Sequence, residues 1–241
     1  MTDLIVPDWP APAGVKALVT TRQGGASVAQ WASFNLGDHV GDDPLAVREN
    51  RRRLREHLPS EPKWLRQTHS IICLDAKQIS AGAEADASFS REPGVVCAVL
   101  TADCLPVLFC DDRASVVAIA HAGWRGLAAG VLESSVSAMH VNPERILAWF
   151  GPAIGPTKFE VGNEVRAMFV GHDQGASRAF VPAPNGKWLA DIYKLARIRL
   201  DNLGIRRITS TNWCTATQSE QFFSYRRDGV TGRMASCIWL E

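Results

Sequence analysis

The sequence predicts an α+β fold. Three short apolar runs, VVCAVLT (95–101), LPVLFC (105–110) and SVVAIA (115–120), have the Val, Ile, Leu and Phe content of buried strands. Two longer stretches, 127–139 and 189–203, repeat apolar residues at helical spacing. Strands and helices follow one another without the strict alternation of a doubly wound sheet.

The elements read in order as follows. VKALVTT (15–21) is a first strand, and Gly24 and Gly25 open a polar loop that runs through SFNLGDHVGDD. Asp43-Pro44 has the form of a helix start, with Asp as N-cap and Pro at the first helical position. The helix over 45–58 is rich in arginine and ends at Pro59 and Pro62. Short strands over 63–67 and 71–74 flank His69, and the Gly/Ala/Ser-rich segment 81–94 reads as a loop. Beyond the three apolar runs come the 127–139 helix, a strand over 146–151 and a short helix near 162–170. A loop over 171–186 precedes the 189–203 helix, which Gly204 closes as a left-handed cap. RITST (207–211) and ASCIWL (235–240) are final strands.

At 241 residues the chain is expected to form one domain over 1–241, large enough to bury a core without disulfides. A net charge of +1 argues against bulk binding of nucleic acid, and no stretch of about 20 residues stays apolar enough for a membrane span. The N-terminal residues carry Asp3 and Asp8 and lack a basic segment, so a cytoplasmic protein is expected, with its six cysteines as thiols. No obligate protein partner is evident.

Two segments concentrate the chemistry: Thr101-Ala102-Asp103-Cys104 and His121-Ala122-Gly123-Trp124-Arg125-Gly126. Cys104 lies between two strands and His121 at the end of a third, at a glycine-rich junction with a helix, and His69 follows another strand. All three can converge on one rim. Cys104 can then be a thiolate nucleophile with His121 as its base. Alternatively His69, Cys104 and His121 are three ligands of a catalytic zinc that keeps a fourth position open. Spacing leaves both readings, and a purely structural buried cysteine, open. Cys73, Cys97, Cys110 and Cys237 lie in apolar runs and belong to the core. No GxGxxG, Walker A or GxSxG motif occurs.

TADCLPVLFCD and AHAGWRGLAAGVLE closely resemble the YfiH-like, laccase-domain family. So do SFNLGDHVGDDP, ENR (49–51), QTHS around His69, DAS (86–88), GPAIGP (151–156), FEVG (159–162) and FFSYRRDGVTGRMAS (222–236). Many members of that family carry the label multicopper polyphenol oxidase. The resemblance implies two mixed β-sheets packed together and flanked by helices, an α/β/β/α sandwich. It implies metal ligation by His69, Cys104 and His121. It also implies a zinc-dependent purine nucleoside phosphorylase with adenosine deaminase and methylthioadenosine phosphorylase activity. Where many relatives carry cysteines after GPxIGP, this chain has Thr157, Lys158 and Phe159.

A multicopper oxidase needs about ten histidines. Six are present, so a full laccase centre is not expected, although Cu²⁺ can substitute for Zn²⁺ in one site. Deamination at C6 of a purine would use a metal-activated water, with Asp103 as candidate proton shuttle. Phosphorolysis needs an anion pocket, for which Arg51, Arg226 and the backbone N–H groups after His121 are candidates; Arg51, Arg226 and Asn35 are the candidate substrate-binding residues, the substrates being a purine nucleoside and phosphate. Competing functions are an amidase-type hydrolase of peptidoglycan precursors, a copper-dependent polyphenol oxidase, and a non-catalytic metal-binding domain.

Overall fold

A computed structural model describes residues 3–210 and 213–241. Three sheets form a mixed α+β architecture. The first strands are β1 (Leu4–Ile5) and β2 (Val15–Thr20). Helix α1 (Pro44–Arg55) begins as expected: the Asp43 side chain accepts the Leu45 amide, and Pro44 stands at the first position. Next come β3 (Cys73–Asp75), β4 (Ala87–Ser90), β5 (Cys97–Thr101), β6 (Leu105–Asp111) and β7 (Val117–Ala122). The three apolar runs are therefore strands, with β7 continuing through His121.

Four expectations need correction. The segment 81–94 contains β4, a strand between β7 and β3. Ala87, Ser88 and Ser90 are fully buried there, where small side chains fit and large apolar ones are not required. No named strand covers 63–67, which is held by isolated bridges from Lys63 to Cys97 and from Arg66 to Glu84 and by the Gln67 side chain, which bonds the Leu100 amide and carbonyl. The 127–139 helix is two helices, α2 (Trp124–Ala129) and α3 (Val131–Met139). Gly130 at φ +112° ends the first and starts the second, a left-handed conformation that glycine adopts without steric cost.

Further on lie β8 (Ile146–Phe150), β9 (Glu160–Val161), α4 (Asn163–His172), β10 (Phe180–Ala183) and β11 (Lys187–Ala190). The fourth correction concerns the stretch up to Leu189: the expected loop over 171–186 contains β10, and Leu189 is not helical. It pairs with Val181 in the β10–β11 hairpin, and the second long helix, α5 (Ile192–Asn202), starts only after it. The last elements are β12 (Arg207–Ser210), α6 (Tyr225–Asp228) and β13 (Met234–Leu240). Residue 211, the end of the expected strand over 207–211, lies outside the described residues.

The sheets stack as layers. One has the order β1-β2-β13-β5, the large one β12-β8-β6-β7-β4-β3, and a small one β10-β11-β9. Side chains alternate along each central strand. On β6, Leu108 and Cys110 face the layer shared with the four-stranded sheet, together with Val99, Ile119, Trp149 and Ile238. Leu105, Val107 and Phe109 face the opposite way, into a core with α3 and α5 residues such as Leu132, Val136, Leu195 and Ala196. The outer face of the four-stranded sheet packs Leu18, Ala98 and Cys237 against Leu54 of α1. Helix, sheet, sheet and helices thus form the sandwich.

The layer between the sheets sets the stability. Replacing the fully buried Leu108 by Ala should cost about 2–5 kcal/mol in denaturant unfolding. The same change at Leu45, exposed on α1, should stay within about 0.5 kcal/mol.

Candidate metal centre

Alternation along β7 puts Ala118, Ala120 and Ala122 on the helix-covered face. His121 therefore points to the side of Val117 and Ile119, the layer between the sheets. Pro106 on β6 is its register partner, so Cys104, just ahead of β6, emerges beside the end of β7. The Asp103–Cys104 turn is tight, with Asp103 at φ +91°. His69 approaches from the loop before β3, also with positive φ, at +60°.

The ligand atoms of His69, Cys104 and His121 lie within 4.8 Å of one another. Cys104 Sγ is 3.9 Å from His69 Nε2, and the two imidazole rings stand edge to face at 4.9 Å. Among the described residues no other group of three or more His, Cys, Asp or Glu side chains is arranged to hold a metal. Gly123 makes the convergence possible. A Cβ there would sit 2.6 Å from His69 Cδ2, 2.9 Å from His69 Nε2 and 3.0 Å from Cys104 Sγ.

Asp86 holds the two histidines together. It is fully buried at the start of β4, and its Oδ1 lies 2.7 Å from His121 Nδ1. The same carboxylate accepts the backbone amides of Thr68, His69 and Ser70 and the Ser70 hydroxyl. The Asp86 carbonyl accepts the His121 amide at 2.7 Å. A carboxylate on Nδ1 leaves His121 Nε2 as the coordinating nitrogen, the usual support of a metal-binding histidine. Burial alone would raise the Asp86 pKa, but the His121 and Ser70 contacts outweigh it and hold the carboxyl at about 2. For Cys104, burial again opposes ionisation, and the charge and hydrogen bonds of His121 and His69 bring the thiol down to about 6. A preformed anionic sulfur, two imidazoles and a glycine-walled gap fit a metal ion that takes N and S ligands.

The other residues nominated from the sequence do not join this cluster. Asp103 accepts the Thr215 hydroxyl at 2.5 Å and the Arg226 amide at 2.6 Å, so both of its oxygens brace the 215–226 segment. Arg226 donates to the carbonyls of Lys158 and Glu160 and packs over Phe159. Arg51 donates to the Leu36 carbonyl, pairs with Asp38 and stacks on Trp64, facing a cleft of about 540 Å³ along α1. Asn35 is fully buried, with its amide engaged by Gly37, Asp42 and the Arg233 amide. Sequence reasoning missed Asp86 and Gly123 as parts of the centre. The sequence signal for Asp86 was an acid flanked by Ala and Ser in the DAS segment, read there as a loop.

Residues 16–241 match the family described as multi-copper polyphenol oxidoreductase laccase. The chain is 57% identical to an Escherichia coli protein named purine nucleoside phosphorylase YfiH, over 100% of both chains. It is 51% identical to a Haemophilus influenzae protein named purine nucleoside phosphorylase, over 98% of this chain and 99% of that one. A crystal structure of a Neisseria meningitidis protein superposes with a TM-score of 0.96 at 49% identity, covering 99% of each chain. Crystalline YlmD from Geobacillus stearothermophilus superposes with a TM-score of 0.88 at 32% identity, over 96% of this chain and 94% of that one.

Two predictions follow from the geometry. Asp86→Asn keeps the shape but loses the charge on His121, and should weaken metal affinity about 10- to 100-fold in a chelator competition. Gly123→Ala should do so by displacing His69, with the fold retained by circular dichroism. The thiols supply the other. Burial pushes Cys73, Cys97 and Cys110 up to about 12, and raises Cys237 as well, so at pH 8 these four remain protonated. Burial also opposes ionisation of Cys214, but the Thr217 hydroxyl and the Gly155 amide lower its pKa on balance. A thiol reagent at pH 8 should therefore label Cys104 and Cys214 in the folded, chelator-treated protein, and all six cysteines only after denaturation.

Proposed function

We propose that this chain, which belongs to the multi-copper polyphenol oxidoreductase laccase family, is a metal-dependent purine nucleoside phosphorylase that also deaminates adenosine and phosphorolyses methylthioadenosine. The observation that carries the reading is the His69–Cys104–His121 cluster with Asp86 behind it, in a chain whose close relatives bear that name. Zinc is the ion that suits one thiolate and two imidazoles best. Held there, it would supply Lewis acidity to a substrate oxygen or nitrogen.

The chain's own residues do the rest. Asp86 accepts the Nδ1 proton of His121 and fixes its tautomer and ring plane. Through the amides of Thr68, His69 and Ser70 it also holds the loop that carries the second imidazole. His121 and His69 keep Cys104 ionised at neutral pH, so the site is charged before any ion arrives. Gly123 keeps one wall free of side chain. The family name describes a multi-copper centre, but one Cys/His cluster supplies donors for one ion.

A second reading has an observation in its favour. Cys104, His121 and Asp86 also make up the parts of a thiolate hydrolase, with His121 as base and Asp86 as its orienting acid. His69, as a third donor within reach of the same sulfur, is superfluous in that reading.

Purified protein should contain about one zinc per chain and convert inosine and phosphate to hypoxanthine and ribose 1-phosphate. Cys104→Ala should lose metal and turnover together. Full zinc occupancy in an inactive Cys104→Ala protein would establish the nucleophile instead. Phenol oxidation should be weak and depend on added copper.

A further inference from the structure

We propose that Arg233 is the phosphate-binding residue of this site, an inference that rests on the phosphorolysis reading above. Arg233 stands one residue before β13, whose first residue, Met234, pairs with Thr101 at the end of β5. That register sets it beside the turn that carries Asp103 and Cys104, both of which feel its charge. Its placement is enforced from the other side as well. The Arg233 amide donates to Asn35 Oδ1 at 2.8 Å, and Asn35 is in turn held by Asp42 and Gly37. Gly37 leaves room for the arginine stem, since a Cβ there would lie 2.8 Å from Arg233 Cγ.

The guanidinium is half-buried, and only its Nη1 is engaged, by the carbonyls of Thr231 and Gly232. Among the described residues Nε and Nη2 have no partner, and no carboxylate pairs with Arg233. Arg226 has the same bonding, with only its Nη1 engaged by two carbonyls, but it is exposed and lies over Phe159, whereas Arg233 is partly buried. Arg227 is held by Asp228, Thr215 and Phe222, Arg22 by Ala32 and Ser219, and Arg51 by Asp38. A partly desolvated cation with two donors left on one edge of its fork suits a tetrahedral oxyanion, which can accept both.

In phosphorolysis the bound ion is hydrogen phosphate. One of its oxygens bonds to C1′ of the ribose as the C1′–N9 bond breaks. The electron pair of that bond leaves on the purine, which takes up the proton the phosphate gives up. Products are ribose 1-phosphate and free base, so atoms and charge balance. Arg233 holds two of the three non-attacking oxygens and so orients the attacking one toward C1′ of the sugar.

The test compares wild type, Arg233→Gln and Arg233→Lys as zinc-loaded proteins. Three readouts are taken: metal content, phosphate dissociation constant by ³¹P NMR titration, and separate KM values for phosphate and inosine. Arg233→Gln should raise both phosphate constants about 10- to 100-fold, the loss of charge-assisted hydrogen bonds, and leave zinc content and inosine KM near wild type. Arg233→Lys should lie between, since it keeps the charge without the fork. Unchanged phosphate constants in a zinc-loaded Arg233→Gln protein overturn the assignment. If the glutamine variant fails to hold zinc, the lysine variant decides, wild-type phosphate constants again overturning it. A wild-type protein that binds phosphate through Arg233 but does not phosphorolyse inosine would overturn the functional reading and leave the phosphate site standing.

Discussion

Asp86 is buried without exposure and still ionised, and the centre depends on the reason for both. A carboxylate removed from water is costly unless its lone pairs are met. Here they are met by three consecutive amides, one hydroxyl and one imidazole. The five donors come from only two places, the loop 68–70 and His121. Satisfying the charge therefore fixes the loop against the strand. His69 is forced into positive φ by the same wrapping, a strain of order 1–3 kcal/mol for a non-glycine residue that the surrounding hydrogen bonds must offset. The acid keeps its charge down to about pH 2, so the arrangement persists through the neutral range.

The sandwich supplies what Asp86 cannot. β6 and β7 are neighbours in one sheet, and their register places the Cys104 turn at the level where β7 gives way to α2. β4 pairs with β7 on the other side, bringing Asp86 to the flank of His121. Three adjacent strand ends thus deliver a sulfur, an imidazole and a carboxylate without any long loop having to find its place. The close approach then demands the absence of a side chain at Gly123. Its φ of −63° is ordinary, so the glycine is there for space and not for conformation.

Much of this was legible in the residues. Runs of Val, Leu, Ile and Phe announced β5, β6 and β7, and the Asp43-Pro44 pair announced α1. The Cys and His of ADC and HAGWRG, with His69, announced the three donors. What stayed hidden has a common physical cause. β4 is Ala-Ser-Phe-Ser, with Phe89 its one large apolar residue, and the burial of its small residues comes from crowding by β7 and β3, too short a pattern to read as a strand. Asp86 lies at its edge and inherited the loop reading. The break at Gly130 is invisible to periodicity because α2 and α3 both face the same core. Leu189 fits the helical spacing of α5 but is captured by Val181 across a hairpin, a long-range pairing that outweighs local propensity.

The polar residues that a sequence motif offers as substrate contacts deserve the same scrutiny as the strands. Asn35, Asp103 and Arg226 lie in conspicuous segments, and each is engaged with the chain itself: Asn35 with Asp42 and Gly37, Asp103 with Thr215 and the Arg226 amide, Arg226 with two carbonyls. Such groups are costly to free, because removing a partner leaves the other buried and unsatisfied. A ligand binds where the protein has left donors uncommitted, and commitment is a property of the folded neighbourhood that spacing does not carry. By that criterion the site is built in two tiers. An outer ring of engaged polar side chains fixes the loops, and the three groups they hold in place, His69, Cys104 and His121, turn donor atoms toward one another.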